Sequence, residues 1–366
     1  MATRFFHLKR TWLTFRKRRL AGFTLIELLV SMIIASIITV GLLGLVVQLT
    51  ETNQRDVART EVQQDMQAAI DYIAQDLRES VYVYDNACLT GQGTTTLPVS
   101  AADCPGLKNY IPASLKDNVM LAFWRTNLLP QAQVNQCKAY GQTLAANPGS
   151  DAAAIAARQA AAETVKDIPC IAQNGYTLVV YSIDRSGPTA VWKGPARLKR
   201  YQLTQFNDSG SAVKGYVDPL NSAALGDLRF QHWPFQKASD IAVPRNQQAA
   251  LPDDTSAVLV DFVDGGEITA ADFVCPSPSQ PTYNTAVIPA GFRACVRGRT
   301  FYNPNSAAVT ANPTLKARLD AEVDAKQEIV LYLAGNVTGK PGFPGASNTA
   351  RLAPIQTRVL SRSILR

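Results

Sequence analysis

Glu27 is the residue in this chain whose position most needs a chemical explanation. It lies in Gly22-Phe23-Thr24-Leu25-Ile26-Glu27-Leu28-Leu29-Val30, a segment opening an apolar run that continues to Leu49. An ionised acid at the centre of a bilayer costs about 2.5–3.5 kcal/mol on insertion scales. No Lys, Arg or His lies between Phe23 and Leu49 to offset that cost. A cation must therefore be created nearby or arrive from another chain.

The other residues that could do chemistry carry weaker signals. His232, in Phe230-Gln231-His232-Trp233-Pro234-Phe235, is the only histidine beyond residue 22, so any Ser-His-Asp or Cys-His arrangement must use it. Beside Trp233 and Pro234 it reads as a packing or hydrogen-bonding residue. Asn207-Asp208-Ser209-Gly210 faintly resembles a serine-protease nucleophile loop but lacks the surrounding sequence. Nothing matches GxSxG, HExxH, a P-loop or GxGxxG. The acids Asp253, Asp254, Asp261, Asp264, Glu267 and Asp272 fit no recognised calcium-loop spacing and read as a solvated acidic surface. These residues point to no enzyme and to no cofactor.

Six cysteines, Cys88, Cys104, Cys137, Cys170, Cys275 and Cys295, all follow the apolar run. An even count in an extracytoplasmic domain points to disulfides. Nearest-neighbour pairing gives Cys88–Cys104, Cys137–Cys170 and Cys275–Cys295, one among the several connectivities that six cysteines allow. With no CxxC and a single histidine beyond residue 22, a zinc site has little support.

The elements around these residues follow from charge and periodicity. The formal charge of +7 is carried by Arg4, Lys9, Arg10, Arg16, Lys17, Arg18 and Arg19; residues 1–22 hold no acid. Removing those 7 from 36 basic residues leaves 29 against 29 acidic ones, so the remainder is formally neutral and offers no basic face to nucleic acid. The positive-inside rule places the tail in the cytoplasm and the C-terminus outside. Residues 23–49 exceed the roughly 20 apolar residues needed to cross a bilayer. They also exceed the apolar core of about 7–15 residues of a secretory signal, and no convincing cut follows them. An uncleaved signal anchor is the alternative.

Beyond Leu49 the apolar residues Val62, Met66, Ile70, Ile73, Leu77 and Val81 recur at helical spacing among charged ones, the pattern of an amphipathic helix. No proline precedes Pro98, so one helix is expected from Phe23 to about Tyr82, with a length of about 90 Å at the helical rise. Its outer half should dock on a head. Gly41 and Gly44 interrupt the membrane half; they either allow close backbone approach, mark a stretch able to unwind, or are simply tolerated. The head, from about Asp85, shows strand-like runs at Asn118–Trp124, Tyr176–Ile183, Leu198–Phe206, Ala257–Val263 and Ile329–Leu333. Asp151–Asp167, rich in alanine, reads as a helical surface insertion, and Thr314–Glu328 as a second helix. The fold class is α+β.

The segment AGFTLIELLVSMIIA closely resembles the class III signal of type IV pilins and type II secretion pseudopilins. The resemblance covers about the first tenth of the chain. It implies cleavage between Gly22 and Phe23 by a prepilin peptidase, N-methylation of Phe23, and pairing of Glu27 with the N-terminal amine of a neighbouring subunit. Cleavage would thus create the missing cation, and a charge satisfied only in the assembled state would favour assembly and fix its register. The implied division is a leader at 1–22, a membrane half-helix at 23–49, an amphipathic half at 50–84 and an extracytoplasmic head at 85–366. The implied fold is a long helix packed on a large antiparallel sheet.

MQAAIDYIAQDLRESVYVYD and VWKGPARLKRYQL are similar to segments of the larger J- or W-type minor pseudopilins. They are more closely similar to those of the large C-type pseudopilin of cyanobacterial hormogonium polysaccharide secretion. That resemblance implies a minor, tip-proximal subunit in polysaccharide export and gliding motility; a mature chain of 366 − 22 = 344 residues is large for a repeating major subunit. One outermost tip type lacks the fifth-position acid, and Glu27 argues against that role. Alternatives are a general secretion or adhesion pilin, and a signal-anchored extracytoplasmic enzyme. The implied partners are other pilins, the prepilin peptidase, the inner-membrane assembly platform and membrane lipid. The expected location is the inner membrane, followed by a periplasmic or surface filament.

Overall fold

The computed structural model describes residues 23–91, 106–219, 230, 233–234, 251–269, 273–276, 280–281, 287–297, 313, 327–345 and 348–361. The chain divides into two units, Met1–Gln54 and Arg55–Arg366.

In the first unit every described residue is exposed, and those from Leu25 onward form the start of α1 (Leu25–Arg78). This stretch is long and apolar enough to cross a membrane. Its hydroxyls are satisfied within the helix: Ser31 donates to the Glu27 carbonyl at 2.6 Å, Ser36 to Ile33 at 2.8 Å and Thr39 to Ala35 at 2.7 Å. That suits a solvent unable to hydrogen-bond them.

In the second unit the expected stripe is buried. Val62, Met66, Ile70, Ile73 and Leu77 are each no more than 1 % exposed. The helix ends at Arg78 rather than near Tyr82. Ser80 donates its hydroxyl to the Leu77 carbonyl at 2.6 Å, and Ser80–Val83 becomes strand β1. The Val-Tyr-Val sequence suits a pleated, buried surface better than a helix, and β2 (Val119–Leu128) supplies the partner.

A five-stranded antiparallel sheet follows, in the order β1-β2-β3-β4-β5, completed by β3 (Asn174–Asp184), β4 (Ala196–Leu203) and β5 (Ala257–Val263). β2 to β5 fall on expected runs. Successive side chains alternate between two cores. Phe123, Val179, Tyr181 and Leu198 meet the stripe of α1. Trp124, Leu178, Val180 and Tyr201 join Tyr84 and Trp233 on the other face.

The remaining strands are β6 (Glu267–Thr269), β7 (Gln280–Pro281), β8 (Val287–Pro289), β9 (Phe292–Val296), β10 (Glu328–Leu333) and β11 (Ile355–Leu360). They form a β11-β10-β9-β7 sheet and a separate β6-β8 pair. The expected helix at 314–328 lies outside the described residues except for Gln327 and Glu328, and Glu328 opens β10.

A short helix, α2 (Asn86–Thr90), follows β1. Between β2 and β3 lie α3 (Gln131–Ala146) and α4 (Ala152–Thr164). α4 was legible in the sequence: Asp151 caps it by accepting from the Ala154 N–H at 2.9 Å, and Ala154 is its only buried residue. α3 was not expected, because its polar residues and alanines lack an apolar period.

Candidate functional site

Phe23 and Thr24 precede the first helical turn, and the Phe23 side chain is 75 % exposed. The Glu27 N–H donates to the Thr24 carbonyl at 3.0 Å, with the Thr24 hydroxyl at 3.4 Å. Thr24 thus occupies the cap position with Glu27 three residues on, the spacing of a capping box. An acid in the first turn also faces the positive end of the helix dipole. Gly22 lies outside the described residues.

Where α1 meets the sheet, a second constellation appears that the sequence reading missed. Asp76, 5 % exposed, accepts from the Arg125 guanidinium of β2 at 3.1 Å, from Arg200 Nε of β4 at 2.8 Å and from the Tyr181 hydroxyl of β3 at 2.7 Å. Arg125 also pairs with Glu79 at 2.9 Å. One helical carboxylate is thereby tied to three consecutive strands. Burial, reinforced by the Asp76 charge, pushes the Tyr181 hydroxyl well above its ordinary range. Burial opposes the charge on Arg200, but the hydrogen bond and charge of Asp76 outweigh it and raise its pKa. The available signal was Asp76 itself, an acid interposed between Ile73 and Leu77 of the apolar stripe.

The same helix is held elsewhere. Arg55 and Arg59 donate to the Gly342 and Thr349 carbonyls, each at 3.2 Å, and Lys340 pairs with Glu61 at 2.7 Å. Arg59 also sits 5.3 Å from the centroid of the Phe343 ring.

Of the acids read as a solvated surface, Asp253, Asp254 and Glu267 are exposed, Asp261 is half-buried and Asp264 is buried, and each of the five has a partner. Asp253 pairs with Lys214, and Asp254 accepts from the Ser114 hydroxyl and Ser256 N–H. Asp261 accepts from the Lys193 and Gly194 N–H groups. Asp264 accepts from the Gly266 N–H and lies 3.5 Å from Arg351, and Glu267 pairs with Arg185. Asp272 and His232 lie outside the described residues. Among the described residues, no three His, Cys, Asp or Glu side chains converge as metal ligands.

Ser209 donates to Asn207 Oδ1 at 2.7 Å, making the motif a tight turn. A groove of about 400 Å³ between Tyr72 of α1, Trp192 and β5 is lined without histidine, cysteine or serine. Cys137 is bonded to Cys170 and Cys275 to Cys295, as nearest-neighbour pairing expects. Cys88 is also disulfide-bonded; Cys104 lies outside the described residues.

Residues 17–43 match the model of the prokaryotic N-terminal methylation motif. Comparison with curated proteins and with solved structures gives no match. The motif supports a protein of the type IV pilin and pseudopilin kind, and indicates a structural subunit rather than an enzyme. A leader of this type implies processing by a prepilin peptidase and assembly with other pilins. With the apolar start of α1, it fits a membrane-anchored subunit.

Proposed function

We propose that the chain is a minor pseudopilin, a tip-proximal assembly subunit of a type IV pilus-like or type II secretion-like filament that serves polysaccharide export and gliding motility. The observation that carries this reading is the methylation motif ending in an exposed apolar helix whose first turn holds Glu27. Prepilin peptidase cuts between Gly22 and Phe23, ahead of the first helical turn, and Phe23 is N-methylated. The released amine of one subunit pairs with Glu27 of its neighbour. Processed subunits wait in the inner membrane and are drawn by the assembly platform into the filament.

The polysaccharide assignment draws on the two similar segments, residues 66–85 and 191–203. In the folded head these segments meet through the Arg200–Asp76 bridge, so they belong to one structural unit. Mass spectrometry of the mature N-terminus tests the pilin reading. A methylated Phe23 is expected, and an intact Met1 overturns it. A deletion strain scored for exported polysaccharide, gliding and secreted proteins tests the cargo. Loss of secreted protein with polysaccharide unchanged would transfer the subunit to protein export.

A further inference from the structure

The groove between α1, the 189–194 loop and β5 is held open by specific bonds. On α1, Asp65, Ala68, Ala69 and Tyr72 line it at helical spacing on one face. The two alanines keep its floor low between a carboxylate and a phenol. On the sheet side β5 carries a bulge: the three steps from Val260 to Val263 face only the two steps of β4 from Leu198 to Ala196. Phe262 sits in that bulge at a φ of 59°, a left-handed conformation that a bulky residue rarely adopts. Such bulges and outliers cluster at functional sites, where they re-aim side chains.

Asp261 lies in the same bulge. Its Oδ2 accepts from the Lys193 and Gly194 N–H groups at 2.9 and 3.0 Å. Gly194 packs so closely that a Cβ there would lie 2.3 Å from the Phe262 nitrogen. The Trp192 N–H donates to the Thr189 hydroxyl at 3.0 Å, and its carbonyl accepts from the Thr189 N–H at 2.6 Å. The loop is thus fixed before and after Trp192, whose indole stands 38 % exposed at the groove; Tyr72 is 44 % exposed on the helix.

The groove therefore offers two aromatic rings and three polar groups. Among the described residues the Asp65 carboxylate, the Tyr72 hydroxyl and the Trp192 indole N–H make no hydrogen bond or ion pair. The first only accepts, the second donates and accepts, and the third only donates. A hydroxyl-bearing ring matches that set, because each hydroxyl does both and the ring's C–H face lies against aromatic surface. A cationic ligand would leave the indole N–H without an acceptor, and Arg200 already stands 5.7 Å from the centroid of the Tyr72 ring. An anionic ligand would face Asp65 and Asp261. The volume of about 400 Å³ falls in the range of roughly 300–1,000 Å³ common to small-ligand sites.

We propose that this groove binds a neutral saccharide, with Tyr72 and Trp192 stacking on sugar rings and Asp65 accepting from their hydroxyls. Asp261 is a positioning residue that holds the loop carrying Trp192. Identifying the saccharide with the polymer being exported rests on the proposed function; the site itself does not.

The test uses the full-length chain, carrying Trp12→Phe, in a detergent without a sugar headgroup. Trp124 and Trp233 are no more than 1 % exposed, so acrylamide quenching of tryptophan fluorescence then reports Trp192. Two probes are compared, neutral oligosaccharides cut from the host's extracellular polysaccharide and glycan fragments from its cell wall. Saturable protection of Trp192 by the first is expected. Asp65→Asn should raise the half-saturating concentration about tenfold, the worth of one hydrogen bond to a charged group. Tyr72→Ala should abolish saturation, with circular dichroism unchanged in both variants. If Tyr72→Ala misfolds, Asp65→Asn on its exposed helix face decides alone. Protection by cell-wall fragments only would keep the saccharide site and remove its link to export. Protection beside an intact Met1 would keep the site and remove the pilin reading. Protection by neither probe, protection unchanged in the folded variants, or protection by acetyl-arginine amide in their place overturns the proposal.

Discussion

Two carboxylates on one helix meet opposite environments. Glu27 stands in the exposed apolar part of α1, whereas Asp76 is buried under two arginines and a tyrosine. Glu27→Ala removes the acid from the first turn of α1, a contribution of about 0.3–1 kcal/mol to the helix terminus. The variant should insert and be cleaved normally but enter filaments poorly, as read by membrane fractionation against the yield of sheared filaments; normal assembly would refute the pairing. Asp76→Ala leaves Arg125, Arg200 and Tyr181 without their shared acceptor. Breaking a buried ion pair on one side costs about 3–5 kcal/mol, so denaturant unfolding of the detergent-solubilised chain should show a loss of that order. Glu27 was legible in the sequence because an acid in an uncharged run is anomalous wherever the run folds. The partners of Asp76 were not legible, since Arg200 lies 124 positions away.

At the scale of elements, strands were easier to read than their ends or partners. Runs such as Tyr176–Ile183 combine β-branched and aromatic residues, and their burial on both sides follows from that composition. The end of α1 was misplaced because Ser80–Val83 continues an apolar pattern, and only pairing with β2 turns it into a strand. Gln327 closes β1 from 244 residues away. Gln327→Ala should cost about 1–3 kcal/mol, the usual penalty for leaving a buried backbone group unpaired, in the same unfolding measurement. The two described disulfides should also separate. Cys295 lies in a fully buried strand, whereas Cys137–Cys170 ties down an exposed helical insertion. Serine replacement of the Cys275–Cys295 pair should cost about 2–5 kcal/mol. Replacement of the other pair should raise proteolysis within 131–173 and leave the core transition nearly unchanged.

For the whole molecule, the exposed apolar helix and the buried aromatic head predict different responses to alkali. The chain should remain in the membrane pellet under alkaline extraction and enter solution with detergent. Within the head, burial raises the pKa of Tyr84, Tyr181, Tyr201 and Tyr216 above the ordinary value of 10.0. A pKa raised by folding means the unfolded chain releases its proton first. Stability from these groups is therefore full below pH about 10 and falls as pH rises beyond it. Phenolate absorbance from the four should appear together with unfolding, whereas separate titration in the native state would contradict their burial.

Charge and periodicity among near neighbours are enough to specify the methylation motif, the long apolar helix, its amphipathic continuation and most strands of the five-stranded sheet. Only the tertiary structure shows how Asp76 is neutralised and what closes β1. Those outcomes depend on backbone and side-chain groups brought together from distant parts of the chain, and no local pattern encodes that meeting.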